Sequence, residues 1–165
     1  LTALKQMASI NRNIKRFEPA KEYEKKVIAL DPNDAEAYYT IGVVDWMQSY
    51  KNMITILAAD GLTDDANGNV KKSKDACQKM KDQNTDLVTH GLQNLHKAVD
   101  INPTYDEARS YHHMPHRHQA PQECGDDAAR KADLAEADDW NNKALGARKI
   151  NEKKKEAKTP GGVTM

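Results

Sequence analysis

The sequence predicts an all-α chain of stacked helix pairs, and three observations predict it. Two stretches match each other. YEKKVIALDPNDAEAYY (Tyr23 to Tyr39) and LHKAVDINPTYDEARSY (Leu95 to Tyr111) each pass from helical apolar spacing through Asp-Pro or Asn-Pro into a new helix start. The prolines and their neighbours supply the punctuation. A residue before proline is disfavoured in helix, so each first helix ends there. Asn33 with Glu36, and Thr104 with Glu107, have the capping-box spacing that opens the next helix. Finally, Leu, Ile, Val and Phe make up under a fifth of the 165 residues, while alanine is plentiful. Thin helices packed through small residues suit that composition better than one broad core.

The paired motif resembles the tetratricopeptide repeat, a helix pair of about 34 residues. It is similar in particular to a bacterial subset of that family with long insertions inside repeats. The resemblance implies a short right-handed α-solenoid of about three helix pairs over residues 1–149. The first pair, about 1–34, carries Leu4, Met7, Ala8, Phe17, Ala20, Val27 and Pro32 where the family has bulky, small and closing residues. It departs from the pattern at Asn11 and Glu24. The second, about 35–105, has Tyr38, Ile41, Gly42, Gly91, Ala98 and Pro103, with an insertion at about 47–85. The third, about 106–149, ends with Ala137, Trp140 and Ala144, has its own insertion, and shows Lys149 in place of the closing proline.

Periodicity supports the same architecture without the family. Val88, Leu92, Leu95 and Val99 recur at four, three and four residues, which puts them on one helical face. One helix pair cannot bury such a face alone, so the pairs must stack. Charge separates late in the chain. Glu123 to Asp139 is acidic and Lys143 to Lys158 is basic, which complements a helix dipole. Residues 150–165 read as a basic, disordered tail.

Several function classes fall away. Lysine plus arginine equals aspartate plus glutamate, 25 each, so no global field draws the chain to nucleic acid. No apolar run approaches the roughly 18 residues of a membrane span, and no signal peptide shows. The chain starts at Leu1, so cytoplasm and periplasm both stay open for a soluble protein. No phosphate loop, dinucleotide fingerprint or nucleophile constellation occurs, and no enzyme is expected. TDDANGNVKKSK (Thr63 to Lys74) invites a calcium reading. Its final ligand position is Lys74, a cation where a bidentate glutamate belongs, so the Asn-Gly and Asp-Gly pairs read as turns.

One cluster has metal-ligand chemistry. YHHMPHRHQAPQEC holds His112, His113, His116, His118 and Cys124, donors suited to zinc. His112 and His116 are one helical turn apart. Pro115 between them disrupts the helix that would align them. In the repeat frame these residues fill the slot of a buried helix, so the third pair's first helix should be the least regular part of the array. Cys77 and Cys124 lie far apart, and unpaired thiols are expected.

The family also implies a role. The first helix of each pair lines a concave groove that takes a peptide or a partner helix. By that resemblance the groove residues are Glu36, Tyr39, Val43, Trp46 and Met47, with Arg117 and His118 in the third pair. The expectation is a non-enzymatic protein–protein interaction module without a cofactor, with self-association left open. The competing expectation is a His-rich metal-binding protein on the same scaffold.

Overall fold

A computed structural model describes residues 1–64, 73–119 (118 and 119 by backbone alone) and 126–158. Among the described residues the chain is all-helical. Six helices follow in order: α1 (Thr2–Asn13), α2 (Phe17–Leu30), α3 (Ala35–Ala59), α4 (Lys74–Ile101), α5 (Asp106–Gln119) and α6 (Asp127–Lys158). The closest pairings are α3 with α4, α5 with α6 and α1 with α2. Successive pairs meet through α2 on α3 and α4 on α5, and α3 also touches α5. This is a helical-repeat arrangement. None of the described helices is long and apolar enough to cross a membrane.

The two proline turns are built alike. At the first, Asp31 N–H closes on Val27 O, and Asp31 Oδ1 accepts from Asn33 N–H at 3.0 Å. At the second, Asn102 N–H closes on Ala98 O, and Asn102 Oδ1 accepts from Thr104 N–H at 3.2 Å. Each is an Asx turn, in which the side chain before proline satisfies an amide two residues on. The helix starts therefore shift from the expected capping boxes. Asp34, not Asn33, caps α3 by accepting from Ala37 N–H at 3.0 Å. Thr104 likewise belongs to the turn, and α5 begins at Asp106. In each turn the backbone N–H of Asn33 or Thr104 donates to the residue before proline, and the Thr104 hydroxyl donates to Asn102 Oδ1 as well.

Small residues set the approach of α3 to α4. A Cβ on Gly42 would lie 2.5 Å from Leu95 Cγ and 3.0 Å from Gly91 O, so the helices cross with almost no side chain between them. The apolar face expected on α4 is present: Val88, Leu95 and Val99 are buried. Asn84 ties the pair together farther along, donating to Ser49 O and accepting from Asn52, both at 3.0 Å.

The insertion of the second pair lengthens its helices. The expected insertion begins near 47, yet α3 continues to Ala59, and α4 is already formed at Lys74. Met53, Ile56 and Leu57 of one helix meet Ala76, Cys77 and Met80 of the other in their own cluster. Met53 and Met80 are fully buried, each worth roughly 1.5–3 kcal/mol. Cys77 is disulfide-bonded, against the expectation of unpaired thiols. Cys124, the chain's other cysteine, lies outside the described residues, as do most of TDDANGNVKKSK and the end of the tail.

Two further expectations are corrected. Helix α5 runs through Pro115 to Gln119 without a break. Proline's fixed φ is itself helical, and only one backbone hydrogen bond is forfeited. Pro115 is fully buried, which offsets that loss. The supposed tail is helical as far as Lys158. INEKKKEAK contains good helix formers and no breaker, so lack of apolar residues there signals exposure rather than disorder.

A buried ion pair joins the first two pairs. Lys21 Nζ of α2 lies 3.1 Å from Asp45 Oδ1 of α3, and His90 Nδ1 of α4 lies 2.5 Å from Asp45 Oδ2. Burial works against the Lys21 ammonium, but Glu18 and Asp45 hold its pKa above the ordinary value. At the α1–α2 turn, Lys15 has φ of 59°, the one positive φ on a described non-glycine residue. That conformation costs an L-residue about 1–2 kcal/mol.

Candidate functional site

Helix α3 presents an aromatic stripe, because Tyr39, Trp46 and Tyr50 recur at seven and four residues and share one face. The stripe meets Tyr105 of the α4–α5 turn and Tyr111 of α5, which produces a chain of rings. Tyr105 and Tyr39 have centroids 5.1 Å apart, and Tyr39 and Tyr111 lie edge-on at 5.5 Å. Tyr111 then meets Trp46 at 5.7 Å, and Trp46 stacks on Tyr50 at 5.7 Å. These are favourable separations for aromatic pairs. Burial pushes the Tyr39 phenol up to about 12, with Tyr111 adding to it, and burial likewise raises Tyr105. Both phenols stay neutral at physiological pH and can donate a hydrogen bond. All five rings except Tyr50 are half-buried, and Tyr50 is exposed.

The ladder ends in a cavity of about 340 Å³ between α3 and the α1–α2 turn. Phe17, Met47 and Ile54 line it together with the Trp46–Tyr50 stack, and Lys15 and Lys51 are its charged members. Lys51 Nζ sits 6.0 Å from the Phe17 ring centre.

The expected groove residues do not all reach this surface. Tyr39, Trp46 and Met47 do. Glu36 is exposed but engaged, with Lys5 Nζ at 2.7 Å from its carboxylate and at 2.7 Å from Asp34. Val43 is buried, 4 % exposed, and packs in the core. Arg117 pairs with Asp138 at 3.2 Å. Sequence reasoning missed Tyr50, Tyr105 and Tyr111. The heptad-like spacing of Tyr39, Trp46 and Tyr50 was a legible signal for the first; the other two reach the ladder only through tertiary packing.

The histidines form a different kind of cluster. His112 is buried, 4 % exposed, and stacks on Trp140 with centroids 3.7 Å apart and planes at 16°. His116 lies 5.5 Å and His96 6.0 Å from the same ring. Neither His112 nitrogen has a hydrogen-bond partner among the described residues, and the same holds for Nδ1 of His113 and His116. Burial, aided by His116 and His96, drops the His112 pKa to about 3. Burial also lowers His113 and His116. These rings pack as neutral aromatics. Among the described residues no group of three or more His, Cys, Asp or Glu is arranged to hold a metal ion. The His118 side chain and Cys124 lie outside those residues.

No protein-family model matches the chain, and no curated protein matches it. Among solved structures it is similar to two crystal structures of MamA. One is 19% identical, with a TM-score of 0.30, over 91% of this chain and 79% of that one. The other is 17% identical, with a TM-score of 0.28, over 99% and 97%.

Proposed function

We propose that this chain is a non-enzymatic interaction module of tetratricopeptide type, which holds a peptide or a helix of a partner protein against α3 and α5. The observation that carries the reading is the half-buried ladder of Tyr105, Tyr39, Tyr111, Trp46 and Tyr50, which ends at an apolar cavity. Tyrosine and tryptophan anchor interfaces because they bring large apolar area with few rotors and keep a polar handle. Tyr39, Trp46 and Met47 are the core of the proposed site, with Tyr50 and Tyr111 beside them. Glu36 acts indirectly, by pairing with Lys5.

The alternative, a His-rich metal-binding protein, has the weaker support, since His112 and His96 pack on Trp140 and no group of three or more His, Cys, Asp or Glu among the described residues is arranged to hold a metal. Pull-down from native lysate tests the main reading. A Tyr39→Ala, Trp46→Ala chain with unchanged helicity should recover its specific partner at least tenfold less well than the parent. Equal recovery would count against the groove.

A further inference from the structure

The cavity at the end of the ladder has a charge character that the groove reading alone does not use. Its walls are mostly apolar, and among the described residues the only charged ones lining it are Lys15 and Lys51, with no carboxylate. Among the described residues neither lysine makes an ion pair, although Lys5, Lys21, Lys79 and Lys143 all do. Two cations beside an apolar slot are a standing electrostatic request for an anionic group next to a large apolar one.

Lys15 adds an independent observation. It occupies the left-handed position that closes α1, its N–H donating to Arg12 O at 3.0 Å. Glycine is the residue favoured there. A lysine at that place accepts backbone strain, and it is one of the residues that line the cavity. Strained positions of this kind cluster at ligand clamps.

Resting on the groove reading, we propose that the cavity anchors an acidic segment of a partner protein, with one large apolar side chain in the slot and flanking carboxylates on Lys15 and Lys51. The slot is lined by Phe17, Met47 and Ile54, which suits leucine, methionine or an aromatic side chain. A polyanion such as RNA fits less well. Two lysines neutralise few phosphates, and the chain has no net positive charge.

The test pans the full chain against a display library of random decapeptides, then repeats the selection on a Lys15→Glu, Lys51→Glu chain. The parent should enrich peptides in which Asp or Glu flank a single large apolar residue. The charge-reversed chain should lose that enrichment. By fluorescence anisotropy, a selected peptide should bind each single reversal about three- to tenfold more weakly, and raised salt should weaken it further. Lys15→Gly separates function from folding: the melting temperature should rise while affinity for the acidic peptide falls.

Enrichment without acidic residues, or the same acidic peptides on the reversed chain, overturns the proposal. Apolar peptides that show no charge preference, yet are lost on Tyr39→Ala, would overturn it while the groove reading stands. Failure to select any peptide, together with unchanged partner recovery by the Tyr39→Ala, Trp46→Ala chain, sinks both. Oligouridylate that binds the parent more tightly than the selected peptides, and loses affinity on charge reversal, also overturns it.

Discussion

Helix α3 and the α5–α6 pair each carry an aromatic cluster around a tryptophan, and the two clusters behave in opposite ways. On α3, Trp46 is half-buried between Tyr111 and Tyr50, next to an open cavity. On α5, His112 lies sealed against Trp140, which is 7 % exposed. In sequence the histidine cluster looks like the chemistry. In the fold it is packing, and the tyrosines make the surface. Residue type alone did not decide this; burial did, since Trp140 is 7 % exposed and Trp46 only half-buried.

That comparison can be broken in several ways. Trp140→Ala should destabilise the chain by roughly 3–5 kcal/mol, because a fully packed ring leaves a cavity. Trp46→Ala should cost about half as much or less, since part of that ring already faces solvent. Thermal or urea unfolding measures both, and equal losses would erase the distinction.

Acid should act through the sealed cluster. His112 titrates near 3 when folded and near 6.5 when unfolded, so the unfolded chain binds the proton between those values. Stability should therefore fall as pH drops from about 6.5 toward 3, by roughly 4–5 kcal/mol. His112→Leu should flatten much of that slope in urea titrations at several pH values. A slope that survives intact would place the titration elsewhere.

Glu24 works in the other direction. Burial, with Glu36 nearby, raises its carboxyl to about 7, and Oε2 has no partner among the described residues. Here the folded chain holds the proton, so stability should fall as pH rises from about 4.5 to 7. Glu24→Gln should remove that loss and add about 2 kcal/mol at neutral pH. The smallest effect concerns the turn: Asp34→Ala should cost about 1 kcal/mol, and Asn33→Ala only a few tenths. The reverse order would restore the expected capping box.

Much of the scaffold was legible because it is local. The Asp-Pro and Asn-Pro turns and the Val88–Leu95–Val99 face follow from neighbours in sequence. The cap register was not, because Asn33 and Asp34 are adjacent and both good acceptors, and Asp34 is the one that caps α3. The site was half legible. Tyr39, Trp46 and Met47 fall on one face of α3, but Tyr105 and Tyr111 join them only when the third pair docks. Val43 lies on the same helix and points inward. Pro115 misled, since burial of its ring compensates for a lost hydrogen bond that sequence counts as a break.

The most direct test reads the two tryptophans separately while a library-selected peptide is added. A Trp140→Phe chain reports only Trp46, and a Trp46→Phe chain reports only Trp140. A binding groove on α3 predicts that Trp46 emission shifts to the blue and its quenching by acrylamide falls on peptide addition, while Trp140 stays unchanged. A response confined to Trp140, with Trp46 silent, would contradict it and move the binding surface to the histidine cluster.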